Sequence, residues 1–437
     1  MNWEKLLNAE RFGETPEKAQ SDKRTQFQRD YDRLIFSSEF RKLQSKTQVF
    51  PLPESIFVHN RLTHSLEVSC VGRSIAKIVT DFLIQQNIFD SELLSEIPVI
   101  VSTACLIHDI GNPPFGHSGE KALSSYFLSG EGEKFKYLFN SQEWNDLCNF
   151  NGNANLLRLL THQFSGRRKG GFAITYATLG SMLKYPCSSD EKRKKYGHFF
   201  SENDTFSTIV EKCGMKLNDQ IVRHPLVYIV EAADDISYLI MDIEDANRLK
   251  IITEETCIDY FLPFLEIEPD TERKFVEQSK TLSKTETIQY LRSLIINILV
   301  KASAQVFIDN YEKITTGRFN FTISSNLPKS LKLALENCQK LGTDTIYCDA
   351  GVIGLEIAGH KILNTLIDNY CNAIFTLQND YSKLLLKTIP EMYKPTGTPY
   401  QQVRLINDYI SSMTDFEALR NYREIMSIDL PGRVLLR

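Results

Sequence analysis

The nine cysteines of this 437-residue chain include no C-x-x-C pair, which excludes a zinc ribbon and a thioredoxin-like redox motif. Cys70, Cys105, Cys148, Cys187, Cys213, Cys257, Cys338, Cys348 and Cys371 are odd in number and dispersed. That pattern suits reduced, mostly buried thiols and points to a cytoplasmic setting. Excess basic charge is missing too. Fifty Lys and Arg against 55 Asp and Glu give a formal net charge of -5, which argues against a general nucleic-acid coat. The start, Met1-Asn-Trp-Glu-Lys5, is charged and has no apolar core, so no signal peptide is legible. The longest apolar runs, Ile97–Ile107 and Leu294–Val300, are too short to cross a bilayer, and no membrane is expected. Repeats and low-complexity tracts are absent. Strand signals are scarce: Phe319–Ile323 alternates weakly, and Thr345–Gly351 is short and ambiguous.

What is present is helical periodicity in a chain of ordinary globular composition, 42% hydrophobic and 24% charged. The expected fold class is all-α. Leu62–Ile84 predicts a helix with Leu66, Cys70, Ile75, Ile78, Val79 and Leu83 along one face. Ile97–His108 is apolar almost all round, as a central buried helix is, and Gly111 with Pro113 and Pro114 reads as its stop. Pro225 opens a long helix reaching about Leu249. Ser188–Asn203 reads as a polar, lysine-rich loop long enough to be functional. The expected division is an N-terminal helical segment, 1–54, a core, 55–250, and a mostly helical C-terminal region, 251–437.

Four groups of residues carry chemistry. His108-Asp109 ends the apolar helix, where two ionisable side chains need a partner and where the negative end of the helix dipole favours a cation. Asp234, Tyr238 and Asp242 share one face of the later helix, with Asp235 beside them, and suggest a polar cleft. His64 stands at a helix start, three residues after Arg61. His117 and Glu120, at i and i+3, have the spacing of an acid–base imidazole and the carboxylate that orients it. The segment Gly116–Lys121 lacks the spacing and ending of a P-loop.

Three segments in order, Arg29–Phe50, His108–Glu120 and Glu231–Tyr238, resemble the dGTPase-type deoxynucleoside triphosphate triphosphohydrolases of the HD-domain superfamily. The quoted segments and the matches between them span residues 20 to 250. The C-terminal third is similar only in its helical character. The resemblance implies an HD-domain helical fold with a helical C-terminal extension. It implies hydrolysis of a dNTP, dGTP included, to deoxynucleoside and inorganic triphosphate, in control of dNTP pools. It implies one divalent metal ion per site (Mg, Mn, Fe, Ni or Zn) on His64, His108, Asp109 and Asp234, which favours Asp234 over Asp235. It assigns His117 and Glu120 as the catalytic pair. Gln48 would contact deoxyribose and Arg61 the phosphates. Tyr238 and Asp242 would exclude a 2′-hydroxyl. Asn153, Lys184 and Lys195 would add substrate contacts, the lysines on triphosphate. A homo-oligomer, often a hexamer, is implied as well.

Two alternatives stand beside this. One is another HD phosphohydrolase, acting on a monophosphate, a cyclic nucleotide or an alarmone. The other is a non-catalytic nucleotide sensor or single-stranded nucleic-acid binder using Arg24, Arg29, Arg33, Arg41, Lys42 and Lys46. Interleaved Asp30, Asp32 and Glu39 favour a solvated helix face for that stretch.

Overall fold

The computed structural model describes residues 1–14, 23–50, 58–191, 195–376 and 379–429. The expected 54/55 division and residues 192–194 of the lysine-rich loop lie outside them. The fold is all-α, as its periodicity predicts. The one strand pair among the described residues joins Lys216–Leu217 to Gln220–Ile221, and the sequence reading did not anticipate it. Asn218 and Asp219 turn it with φ of 46° and 64°, a left-handed pair these short polar residues tolerate.

The Ile97–Ile107 helix is the centre of the core, packed by Gln26–Ile35, Arg61–Gln85, Tyr176–Met182 and Pro225–Arg248. Asn60 opens the Arg61–Gln85 helix by accepting the Leu62 and Thr63 N–H groups. Its buried face keeps Ile75, Val79 and Leu83 of the expected stripe and loses the other three. Leu66, Cys70 and Ile78 are exposed, whereas His64, Ser65, Val68, Ser69, Gly72 and Ile75 face inward. Small residues win there because the neighbouring helix comes so near. A Cβ on Gly72 would meet Cys105 Sγ at 2.5 Å. Gly111 has a different role from the helix stop expected of it. The helix has already ended at Ile107, and a Cβ on Gly111 would meet the Gly152 carbonyl at 2.1 Å. Glycine is required for the close approach of the Gly152–Thr161 helix.

Pro225–Arg248 carries Asp234. His224 caps it, with Nδ1 accepting the Leu226 N–H at 3.2 Å and Nε2–H donating to the Leu6 carbonyl at 3.0 Å. Complete burial lowers this imidazole's pKa to about 4. The unfolded chain therefore binds the proton more readily, and His224's contribution is lost as pH falls from about 6.5 through about 4. Urea unfolding should show the stability advantage of wild type over His224→Gln shrinking by up to about 3 kcal/mol between pH 7 and pH 4. A constant difference across that range would refute a buried neutral ring.

Lys284–Asp309 is long and apolar enough to cross a membrane by composition, with a mean hydropathy of 1.5. Here it is a core helix, packed on Arg61–Gln85 and Glu254–Phe261 through Ile288, Leu291, Ile295 and Leu299. Ala350–Phe375 lies along Gly116–Leu128, and Pro399–Ser412 and Asp415–Ile425 follow. Neither of the two weak strand signals becomes a strand. Phe319–Ile323 is irregular, its Phe319 carbonyl accepting the Tyr228 hydroxyl at 2.7 Å. Thr345–Gly351 runs from a π-turn, Gly342–Ile346, into a helix capped by Asp349, because a side chain bonding forward to the Gly351 N–H competes with extended pairing.

Half of the basic N-terminal stretch is spent internally, while Arg24 and Arg41 are exposed. Arg33 donates to the Phe172 and Ala173 carbonyls, Lys42 to Ser412 O, and Lys46 to Asn112 O and Ser411 O. Asp146 holds Ser189 and Phe200, on either side of residues 192–194, by accepting from Ser189 Oγ and the Phe200 N–H, both at 2.7 Å, and it also accepts from the Tyr400 hydroxyl.

Candidate active site

A cavity of about 460 Å³ opens at the C-terminal end of the Ile97–Ile107 helix. His64, His108, Asp109 and Asp234 all line it. Asp234 Oδ1 lies 3.3 Å from both His64 Nε2 and His108 Nε2, and Asp109 Oδ1 is 3.5 Å from His108 Nε2. One donor atom each of His64, His108 and Asp109 fits within 4.8 Å of the others. His108 donates Nδ1–H to the Cys105 carbonyl at 2.7 Å, which fixes the tautomer and leaves Nε2 as a bare lone pair. That Nε2 is buried and has no hydrogen-bond partner. An imidazole lone pair facing carboxylate oxygens asks for a cation, so these residues fit a divalent metal with mixed nitrogen and oxygen preference.

The electrostatics agree. Burial works against a charged His108, yet Asp109 and Asp234 outweigh it and favour positive charge there. Burial likewise opposes ionised Asp109 and Asp234. Arg61 with His108 for the first, and Lys184 with His108 for the second, hold both carboxyls below the usual range. Arg61 Nη1 meets Asp109 Oδ2 at 2.5 Å, and Lys184 Nζ meets Asp234 Oδ2 at 2.5 Å. Asp235, the neighbour periodicity left open, also lines the cavity but is engaged elsewhere. It accepts from Ser324 Oγ at 2.6 Å, and burial pushes its carboxyl up to about 6.

His117 and Glu120 reach the same cavity from the Gly116–Leu128 helix. Glu120 Oε2 accepts His117 Nδ1–H at 2.7 Å, while Oε1 accepts the Gly152 N–H at 2.6 Å. The carboxylate is thus fixed on both oxygens and orients a ring whose side chain is 75% exposed. Gln48, Arg61, Asn153, Lys184, Lys195 and Tyr238 line the cavity as well. Gln48 Oε1 is buried without a partner, and Lys195 lies 5.7 Å from the Tyr185 ring centre. Asp242 does not line the cavity. It sits behind the wall and accepts the Tyr347 hydroxyl at 2.7 Å, with burial pushing its carboxyl up to about 8. Tyr347 stacks near Tyr238, ring centres 6.2 Å apart.

Sequence reasoning missed Tyr347, along with Val352, Leu355 and Glu356 of the Ala350–Phe375 helix, all at the cavity wall. The one available signal was an aromatic in a stretch that suited neither strand nor helix.

Residues 61–145 match the HD domain model, and residues 326–424 match a phosphohydrolase-associated domain. A Synechocystis protein named deoxyguanosinetriphosphate triphosphohydrolase-like protein is 34% identical over 450 residues, covering 98% of this chain and 100% of that protein. The chain belongs to the dGTP triphosphohydrolase-like family of HD-domain proteins. A Pseudomonas aeruginosa relative of the same name is also 34% identical, over 99% of the chain and 100% of its own length. The deoxyguanosinetriphosphate triphosphohydrolase of Yersinia pestis (strain Pestoides F) is 30% identical over 92% and 94%. This triphosphohydrolase-like chain is an HD-type hydrolase whose likeness extends beyond the 20–250 span expected of it. The C-terminal third matches by sequence as well as by helical character.

Proposed function

We propose that the chain hydrolyses a dNTP, with dGTP among its substrates, to deoxynucleoside and inorganic triphosphate. The observation that carries the proposal is one cavity holding both the His64/His108/Asp109/Asp234 cluster and the His117–Glu120 pair. A divalent ion held by those four residues supplies Lewis-acid polarisation of a phosphoryl oxygen. Arg61, Lys184 and Lys195 offset the triphosphate's charge. Gln48 and Tyr238 flank the deoxyribose with Asn153 nearby, and Asp242 acts on it through the Tyr347 hydroxyl. A 2′-hydroxyl is disfavoured where that tyrosine pair closes the wall.

Water attacks the α-phosphorus, and the bond to the 5′-oxygen breaks. His117 Nε2–H gives its proton to that oxygen, while Glu120 keeps hold of Nδ1–H. The exposed ring regains a proton from solvent, and the proton released by the attacking water goes the same way. The same proposal includes a homo-oligomer, as the resemblance implies, in a cytoplasmic setting, as the dispersed cysteines suggest.

Each dNTP and NTP incubated with the protein and with Mg, Mn, Fe, Ni or Zn tests this, products being separated by chromatography. Triphosphate and deoxynucleoside are expected. Phosphate or pyrophosphate would indicate a different HD phosphohydrolase, and unreacted nucleotide under every metal would indicate a binder.

A further inference from the structure

The two cavity segments outside helices and strand ladders, Thr47–Val49 and Asn112–Phe115, each leave a backbone N–H, of Thr47 and of Phe115, that no ladder satisfies. A single side chain from the far end of the chain reaches both. Asp415, the first residue of the Asp415–Ile425 helix, is 0% exposed. Its Oδ2 accepts the Thr47 N–H at 2.9 Å, and its Oδ1 accepts the Phe115 N–H at 3.0 Å. These partners lie 368 and 300 residues away in sequence.

The two segments stand at the ends of the proposed chemistry. Thr47 precedes Gln48, and it bridges to Asn60, whose side chain caps the helix carrying Arg61 and His64. Phe115 directly precedes Gly116 and His117 and holds φ at 60°, a conformation that a bulky side chain adopts only under outside constraint. A second bond crosses the same three parts: buried Lys46 donates to Asn112 O at 2.6 Å and Ser411 O at 2.8 Å. The Asp415 carboxylate is itself favoured in the first turn of its helix, which Thr414 and Glu417 cap reciprocally.

We infer that Asp415 is a positioning residue, holding the Gln48 segment and the turn before His117 in register across the cavity. This assigns a task to the phosphohydrolase-associated region, residues 326–424, beyond packing. Its catalytic half rests on the proposed dNTP hydrolysis.

Asp415→Asn is the test, because it keeps the size and can accept only one of the two N–H groups. A displacement of about 1 Å costs on the order of 10²-fold. The variant should therefore lose about 10- to 100-fold in kcat, with metal per chain unchanged. Hydrogen exchange read by mass spectrometry should speed up about tenfold in peptides covering 44–50 and 112–118 and stay the same in the Pro225–Arg248 helix. Wild-type kcat with unchanged exchange would overturn the inference. If the variant does not fold, the wild-type Thr47 and Phe115 amides decide. Protection is expected, and free exchange at both would overturn the inference. A wild type that hydrolyses no dNTP overturns the functional reading and the catalytic half of the inference, while the exchange arm still judges the two bonds.

Discussion

Asp234→Ala should strip the protein of its metal and take at least about 10³-fold from the rate of dNTP hydrolysis. The size follows from geometry. Asp234 Oδ1 stands 3.3 Å from both imidazole nitrogens, so a cation shared by the two histidines would have this carboxylate beside it. Removing it leaves two imidazoles and one carboxylate, and that carboxylate is already held by Arg61. The Lys184 ammonium, relieved of its partner, would then repel an incoming cation. Because that loss also disturbs packing, Asp234→Asn belongs beside it. The amide keeps the volume and loses the charge, and its metal content should fall nearly as far. Elemental analysis of purified protein reads the effect directly. Metal content equal to wild type in both variants would remove Asp234 from the site, whatever their activity.

His117→Ala should behave in the opposite way. Turnover should fall by about 10²- to 10⁴-fold, the usual contribution of a positioned acid, while metal content and thermal midpoint stay close to wild type. Its side chain is 75% exposed and makes no contact with the metal cluster, so neither fold nor ligand set depends on it. Glu120→Gln should cost less than His117→Ala, since the amide still accepts one hydrogen bond, and it should shift the pH profile as well as the rate. Near-normal turnover by His117→Ala across the pH range would assign the proton transfer elsewhere.

The parts of the site that depend on short-range spacing could be read from the sequence. His108-Asp109 at the end of an apolar run, the i, i+3 pair His117–Glu120 and the aligned face of Asp234 and Tyr238 are local patterns, and helical periodicity fixes where each side chain stands. What distant segments bring together could not be read. Tyr347 and Asp415 meet partners about a hundred to several hundred residues away, and no periodicity encodes that. The helix around Cys70 shows the same limit within one element. Ile75, Val79 and Leu83 are buried as their spacing suggested, while small residues around Gly72 take the place expected of Leu66 and Cys70. His224 was one histidine among eight, and only its burial between Leu6 and Leu226 gives it a purpose.

The pairing of each carboxylate proposed to bind metal with its own cation, Asp109 with Arg61 and Asp234 with Lys184, has a thermodynamic consequence. Those four charges cancel among themselves, so these four residues alone offer little attraction to a polyanion. A divalent ion joining them makes the same pocket strongly attractive to a triphosphate, and by reciprocity the bound triphosphate tightens the ion. Each ligand therefore sets the apparent affinity of the other. The strength of their union should weaken steeply as salt screens the pocket's mouth.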